Sequence, residues 1–178
     1  WGKYLYLVLH DFEIGSQAGE LVTLNELDTF VGPNFLVTYH SNRIAVLDKI
    51  WDQCTWDPRY LKRGGIDLFY HLADALVEVH LPVVDHFEEA VNEMEGQILH
   101  TPKEDTLEKI FSLKRGLLRI RRIMTPQREV FYKLSNNEFG IMDKDDRLAF
   151  RSVYDHYVLL NDLTESLREL LASALEIY

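Results

Sequence analysis

With 178 residues and 20.9 kDa, the chain has room for one substantial domain, or for a small domain with long helical arms. Its 47% hydrophobic and 27% charged residues exclude a disordered segment, and a net charge of −10 argues against partners such as nucleic acid or anionic lipid. The single cysteine, Cys54, excludes an internal disulfide and points to a reducing compartment, hence the cytoplasm.

Lys3 to Phe12 (KYLYLVLHDF) is rich in Tyr, Leu and Val and reads as a strand, with Gly15, Ser16 and Gly19 marking a turn after it. Glu20 to Phe30 and Asn34 to His40 read as a hairpin folded about Gly32-Pro33-Asn34. Ser41 is placed to cap a short helix over Asn42 to Gln53, with Ile44, Leu47, Ile50 and Trp51 as its apolar face. Asp57-Pro58 and then Lys62-Arg63-Gly64-Gly65 interrupt the pattern, so two regions are expected, 1–65 and 66–178.

From Ile66 the period turns helical. Ile66, Phe69, Ala73, Leu76, Val83, Phe87 and Met94 recur at three- and four-residue steps as far as Leu99. Thr101-Pro102-Lys103-Glu104 is a helix start, with Thr as cap, Pro at the first helical position and Glu three after the cap. A second long helix then runs to Leu134. Asn136 to Asp143 reads as a loop, and Asp143 with Asp146 can begin a third helix. The fold class is therefore α+β: a small antiparallel sheet with a helix, followed by three long α-helices. The first long helix is acidic towards its end and the second basic, so the two are expected to pair as a charged antiparallel hairpin.

The last helix carries two interlocked patterns. Val153, Tyr157, Leu160, Leu167, Leu171, Ala174 and Tyr178 make an apolar seam in which Thr164 is the polar interruption. Asp155, Asp162, Glu169 and Glu176 repeat every seven residues, which stacks them along one side. Such a line is either a solvated face or, around an axis shared by several copies, a set of negative rings that attract cations. The run ends at Tyr178 with no stop signal, and the chain opens at Trp1 without a methionine, so an excised piece of a longer protein is expected. No secretory signal is seen, and no window holds the roughly 18 apolar residues of a membrane span.

Catalytic constellations are absent: there is no phosphate loop, nucleophile elbow or His-Glu-x-x-His zinc signature, so an enzyme is not expected. Among the histidines, His71, three before Asp74, and His156, beside Asp155, have carboxylates at a useful spacing. Asp74 and Glu78 lie four apart on one helical side and can converge on a hard cation. Pro82 cannot donate to the Glu78 carbonyl, which leaves a further oxygen beside that pair. A solvated acidic face explains the same spacing.

Several segments in order resemble the CorA family of magnesium and cobalt transporters. They are Phe30-Val31-Gly32-Pro33-Asn34-Phe35-Leu36-Val37-Thr38, Asp74-Ala75-Leu76-Val77 with Pro82-Val83-Val84-Asp85, Pro126-Gln127-Arg128-Glu129-Val130, Val153-Tyr154-Asp155-His156 and Ser166-Leu167-Arg168-Glu169-Leu170. The resemblance implies an α/β/α sandwich whose first strands and helices precede this chain. It also implies a helical funnel on the cytoplasmic side of the inner (plasma) membrane, assembled as a homopentamer. The last helix would run on past Tyr178 into a membrane span, with the Gly-Met-Asn filter beyond it. By the same resemblance, magnesium, with cobalt or zinc as alternatives, would bind between subunits and regulate the pore. Asp74 matches an acidic residue of that regulatory site, and Glu78 stands where the family often has an acid. Ser152 falls where well-known members carry a bridging aspartate; serine offers only a neutral oxygen, and Asp155 is the nearest remaining carboxylate, about 300° further round the helix. A ZntB-like zinc transporter shares these features, and a soluble helical scaffold without a transport role is the alternative of another class.

Overall fold

The computed structural model describes residues 3–15, 21–100 and 105–177. Three strands, β1 (Leu5–Ile14), β2 (Val22–Gly32) and β3 (Phe35–Tyr39), form an antiparallel sheet in the order β1-β2-β3. Alternation sets the register: Leu5 opposes Val31, Leu7 opposes Thr29 and Leu9 opposes Leu27 on the side facing the helices. There Thr29 donates its hydroxyl to the Leu7 carbonyl at 2.8 Å. The other side stays open, with Tyr4, Tyr6, Phe35, Val37 and Tyr39 exposed. Ser16 and Gly19, expected in the β1–β2 turn, lie outside the described residues, whereas the β2–β3 hairpin turns on Pro33-Asn34 as expected.

Helix α1 (Ala45–Trp56) starts later than its sequence suggests and has no side-chain cap. Ser41 does not cap it. The Asn42 side chain instead donates to Asn25 at 3.2 Å, which holds this segment against β2 while Ile44 is buried as the N-cap residue. Val46 and Ile50 form the buried face; Trp51, one residue and about 100° further round, is 76% exposed and leaves the expected apolar face. After the single turn α2 (Arg59–Lys62), the chain enters α3 (Gly65–His100).

That entry is a tight joint. Gly64 has φ +92°, and the Gly65 amide donates to the Pro33 carbonyl at 2.9 Å. A Cβ on Gly65 would fall 2.1 Å from the Phe35 carbonyl oxygen and 2.3 Å from that of Gly32. The β2–β3 hairpin therefore fits only against bare backbone at the start of α3.

The remaining long helices are α4 (Thr106–Ser135) and α5 (Lys144–Ile177). The helix-start signal at Thr101 to Glu104 lies outside the described residues. Between α4 and α5, Asn137 takes a left-handed φ of 54° and its side chain accepts from the Met142 amide at 2.8 Å. Asp143 and Asp146 then cap α5 reciprocally, each carboxylate accepting the other residue's backbone N–H at 2.8 and 3.0 Å. Pro82 and Pro126 sit inside α3 and α4, which run on through them, while α5 contains neither Pro nor Gly.

The core is a seam shared by the three long helices. Val153, Tyr157, Leu160, Thr164, Leu167, Leu171 and Ala174 are all buried, as their spacing predicts. Tyr178 lies outside the described residues. Phe69 of α3, Phe131 of α4, and Phe150 and Tyr157 of α5 are fully buried together, with Phe131 stacked on Tyr157 at 5.2 Å. Helix α4 packs along α5 more extensively than along α3. The charged hairpin is accordingly a secondary feature: Lys109 feels Glu93 of α3, but Arg121 closes on Glu165 of α5. An exposed pair contributes about 0–1 kcal/mol, against about 1.5–3 kcal/mol for each large apolar side chain buried.

Two glycines in one helix should respond oppositely to alanine. Gly65→Ala, forced against two carbonyl oxygens, is expected to destabilise the protein by about 1–3 kcal/mol in denaturant unfolding. Gly96→Ala, with nothing within 4 Å of its Cβ, is expected to stabilise it by about 0.5–1 kcal/mol.

Candidate functional site

Helix α3 carries Asp74, half-buried, and Glu78, exposed, one turn apart on the side facing α1. Lys49 of α1 comes within 3.8 Å of Glu78. Pro82 follows Glu78 by four residues inside α3, so the Glu78 carbonyl has no helical donor there. The local field is negative. The Tyr70 phenol is pushed up first by burial, then by the carboxylates of Asp74, Asp67 and Glu78. His71 pairs with Asp67 at 3.4 Å, not with Asp74, and Arg63 reaches the other Asp67 oxygen at 3.5 Å.

Asp155 is exposed on α5 and held by Arg151 one turn back at 3.1 Å; Ser152 and His156 are exposed beside it. Asp162, Glu169 and Glu176 are exposed too. The fold thus puts Asp74 and Glu78 on one face and does not add Asp155 to them. Among the described residues, no group of three or more His, Cys, Asp or Glu side chains converges as a metal cage. Two carboxylates and a carbonyl are hard oxygen donors suited to magnesium, which keeps several waters when bound by one or two carboxylates. Their chemistry fits the ion; a complete shell needs water or a second chain.

One functional-looking cluster has no counterpart in the sequence signals. His80 of α3 is fully buried against Asp11 of β1, Nε2 to Oδ1 3.4 Å, and stacks on Phe12 at 3.8 Å. Neither ring nitrogen has a hydrogen-bond partner among the described residues. Burial pushes the His80 pKa down, which favours the neutral ring and outweighs the raising effect of Asp11. The only hint available beforehand was a histidine at an interior position of an apolar helix; its partner is distant in sequence.

A groove of about 830 Å³ opens between β3 and α1, lined by Phe35, Leu36, Leu47, Trp51, Leu61 and Leu72. His40, Asp48, Cys54 and Thr55 also line it. No helix among the described residues is long and apolar enough to cross a membrane.

A three-stranded antiparallel sheet feeding three long helices defines an α+β domain. The soluble domain of CorA from Methanocaldococcus jannaschii has this fold: TM-score 0.83 at 22% identity, over 97% of this chain and 68% of that one. So does the ZntB cytoplasmic domain from Vibrio parahaemolyticus: TM-score 0.79 at 14% identity, over 97% of this chain and 67% of that one. At these identities the likeness shows the fold alone. The chain belongs to the CorA-like Mg2+ transporter family, whose model matches residues 1–178. The cobalt/magnesium transport protein CorA of Thermotoga maritima is 24% identical over 177 residues, 99% of this chain and 50% of that protein. The chain spans about half the length of the curated relatives it matches.

The His80 environment sets a pH dependence. Its folded pKa lies below the unfolded value of about 6.5, so below that pH the unfolded chain binds the extra proton more readily. The stability contribution is complete above about pH 6.5 and is lost as pH falls towards the folded pKa. Denaturant unfolding between about pH 5.5 and 7 is expected to show stability rising with pH, and His80→Phe is expected to flatten that slope.

Proposed function

We propose that this chain is a regulatory segment of a divalent-cation transporter, with magnesium or cobalt as cargo and magnesium as the controlling ion. The observation that carries the reading is the oxygen-rich face of α3, where Asp74 and Glu78 lie one turn apart beside a carbonyl freed by Pro82. A pair of like charges at this spacing costs a few tenths of a kcal/mol until a cation neutralises it. An ion there would complete its shell with water and with groups from a neighbouring subunit. Asp155 is the candidate in place of the neutral Ser152. In this reading the protein is a homopentamer at the inner (plasma) membrane, and this segment lies on its cytoplasmic side. Occupied sites hold the acidic faces of adjacent subunits together and favour a closed arrangement; metal loss removes that bias. Transport, rather than catalysis, is supported by the names of the relatives, which are transport proteins.

A zinc-transporting role is the second reading, favoured by the fold likeness to the ZntB domain. Uptake of magnesium, cobalt and zinc by the intact protein in vesicles separates the two.

The test of regulation is thermal unfolding of the intact protein carrying this sequence, with and without magnesium. An ion present at about 100 times its Kd stabilises by about 2.7 kcal/mol. Most of that gain is expected to vanish in the double variant Asp74→Asn, Glu78→Gln. An unchanged melting curve in wild type, or an undiminished gain in the double variant, sinks the assignment of these residues.

A further inference from the structure

A group of buried polar side chains lies where β1 meets the long helices. Asp11, His80, Gln127 and Tyr157 are each more than nine-tenths buried. Among the described residues no strand pairs with the outer edge of β1, and there the His10 backbone N–H donates to the Gln127 side-chain oxygen. The same Gln127 amide donates through Nε2 to the Tyr157 hydroxyl at 3.0 Å. One position along β1, Asp11 faces His80 at 3.4 Å, and the His80 ring meets the Tyr157 ring edge-on at 6.2 Å. Two adjacent strand residues thus touch α4 and α3 at one level, and Gln127 and His80 relay both contacts to Tyr157 of α5.

Apolar side chains would fill this space at lower cost, because a polar group in a core is unfavourable unless its partners are in place. What such a network adds is a single permitted position of the elements relative to one another. An amide suits the role because it offers an acceptor to the strand edge and a donor to the phenol at once. Helices α3 and α4 also each lack one backbone hydrogen bond here, though both run on: Pro82 follows His80 by two residues, and Pro126 precedes Gln127. Just beyond, Thr125 donates to Asn161 at 3.1 Å, a second polar contact from α4 to α5.

We propose that Gln127 and His80 are positioning residues that lock β1 to α3, α4 and α5, so that a cation-induced change on the Asp74–Glu78 face of α3 is carried to α5. The route is short. His80 lies half a turn beyond Glu78 on α3, and the Tyr157 ring it touches belongs to the buried seam of α5. The transmission half of this proposal rests on cation binding at Asp74 and Glu78; the lock itself does not.

Hydrogen exchange followed by mass spectrometry on the intact protein tests both halves, with wild type, Gln127→Met and the milder Tyr157→Phe, which keeps the ring stack on Phe131. Without metal, each variant is expected to exchange at least tenfold faster in peptides from both β1 and the middle of α5; unchanged exchange in both overturns the lock. With magnesium, wild type is expected to slow exchange in α3 and in α5. In the variants the α3 response should persist, while the α5 response falls at least fivefold. A full α5 response in both variants overturns the transmission. No magnesium response anywhere in wild type overturns the cation-binding reading and the transmission with it, and leaves the lock to be judged by the metal-free arm.

Discussion

Every long-range relation in this fold depends on the apolar seam of α5. Its seven buried positions face α4 for most of their length and α3 for part of it, and the aromatic group Phe69, Phe131, Phe150 and Tyr157 closes the three-helix contact. The seam drifts slowly around the helix because its steps average close to a helical turn. The same geometry turns the seven-residue line of Asp155, Asp162, Glu169 and Glu176 outward, where each carboxylate stays exposed. Burial and charge are therefore two readings of one helical phase.

That phase leaves the fold insensitive to much of its own charge. The surface ion pairs within α4 and α5, such as Lys133 with Glu129 and Arg151 with Asp155, join neighbours one turn apart and tie no elements together. Among the described residues Glu165 ties two of them, gathering both Arg121 of α4 and Arg168 of α5. The outward acids are free to serve association or ion attraction, because packing makes no demand on them.

Much of this was legible in the sequence, for identifiable reasons. Long periodic helices, the Pro33-Asn34 hairpin and the Asp143/Asp146 cap are set by neighbours a few residues away. So is the placing of Asp74 and Glu78 on one side of α3. Ser41 and Trp51 misled because tertiary contact overrode local preference: Asn42 is engaged by Asn25, and only the Val46–Ile50 side of α1 is buried. The charged match between α3 and α4 was real in composition but weaker than the apolar face that turns α4 towards α5. The Asp11–His80 and Gln127–Tyr157 contacts were invisible, since they join elements far apart in the chain. Whether a third oxygen comes near Asp74 and Glu78 is likewise a matter of tertiary and quaternary contact, which spacing along one helix does not encode.

The uninterrupted run of α5 has a mechanical consequence. Its 34 residues contain no Pro or Gly, whereas α3 and α4 each carry an internal proline. At about 1.5 Å per residue this is a rod about 51 Å long. A rod that does not bend converts rotation into displacement: tilting α5 by about 5° about its Lys144 end moves the Ile177 end by about 4 Å, wider than a water molecule. Angular changes at the base too small to disturb the packing there would become, at the far end, a displacement of atomic size.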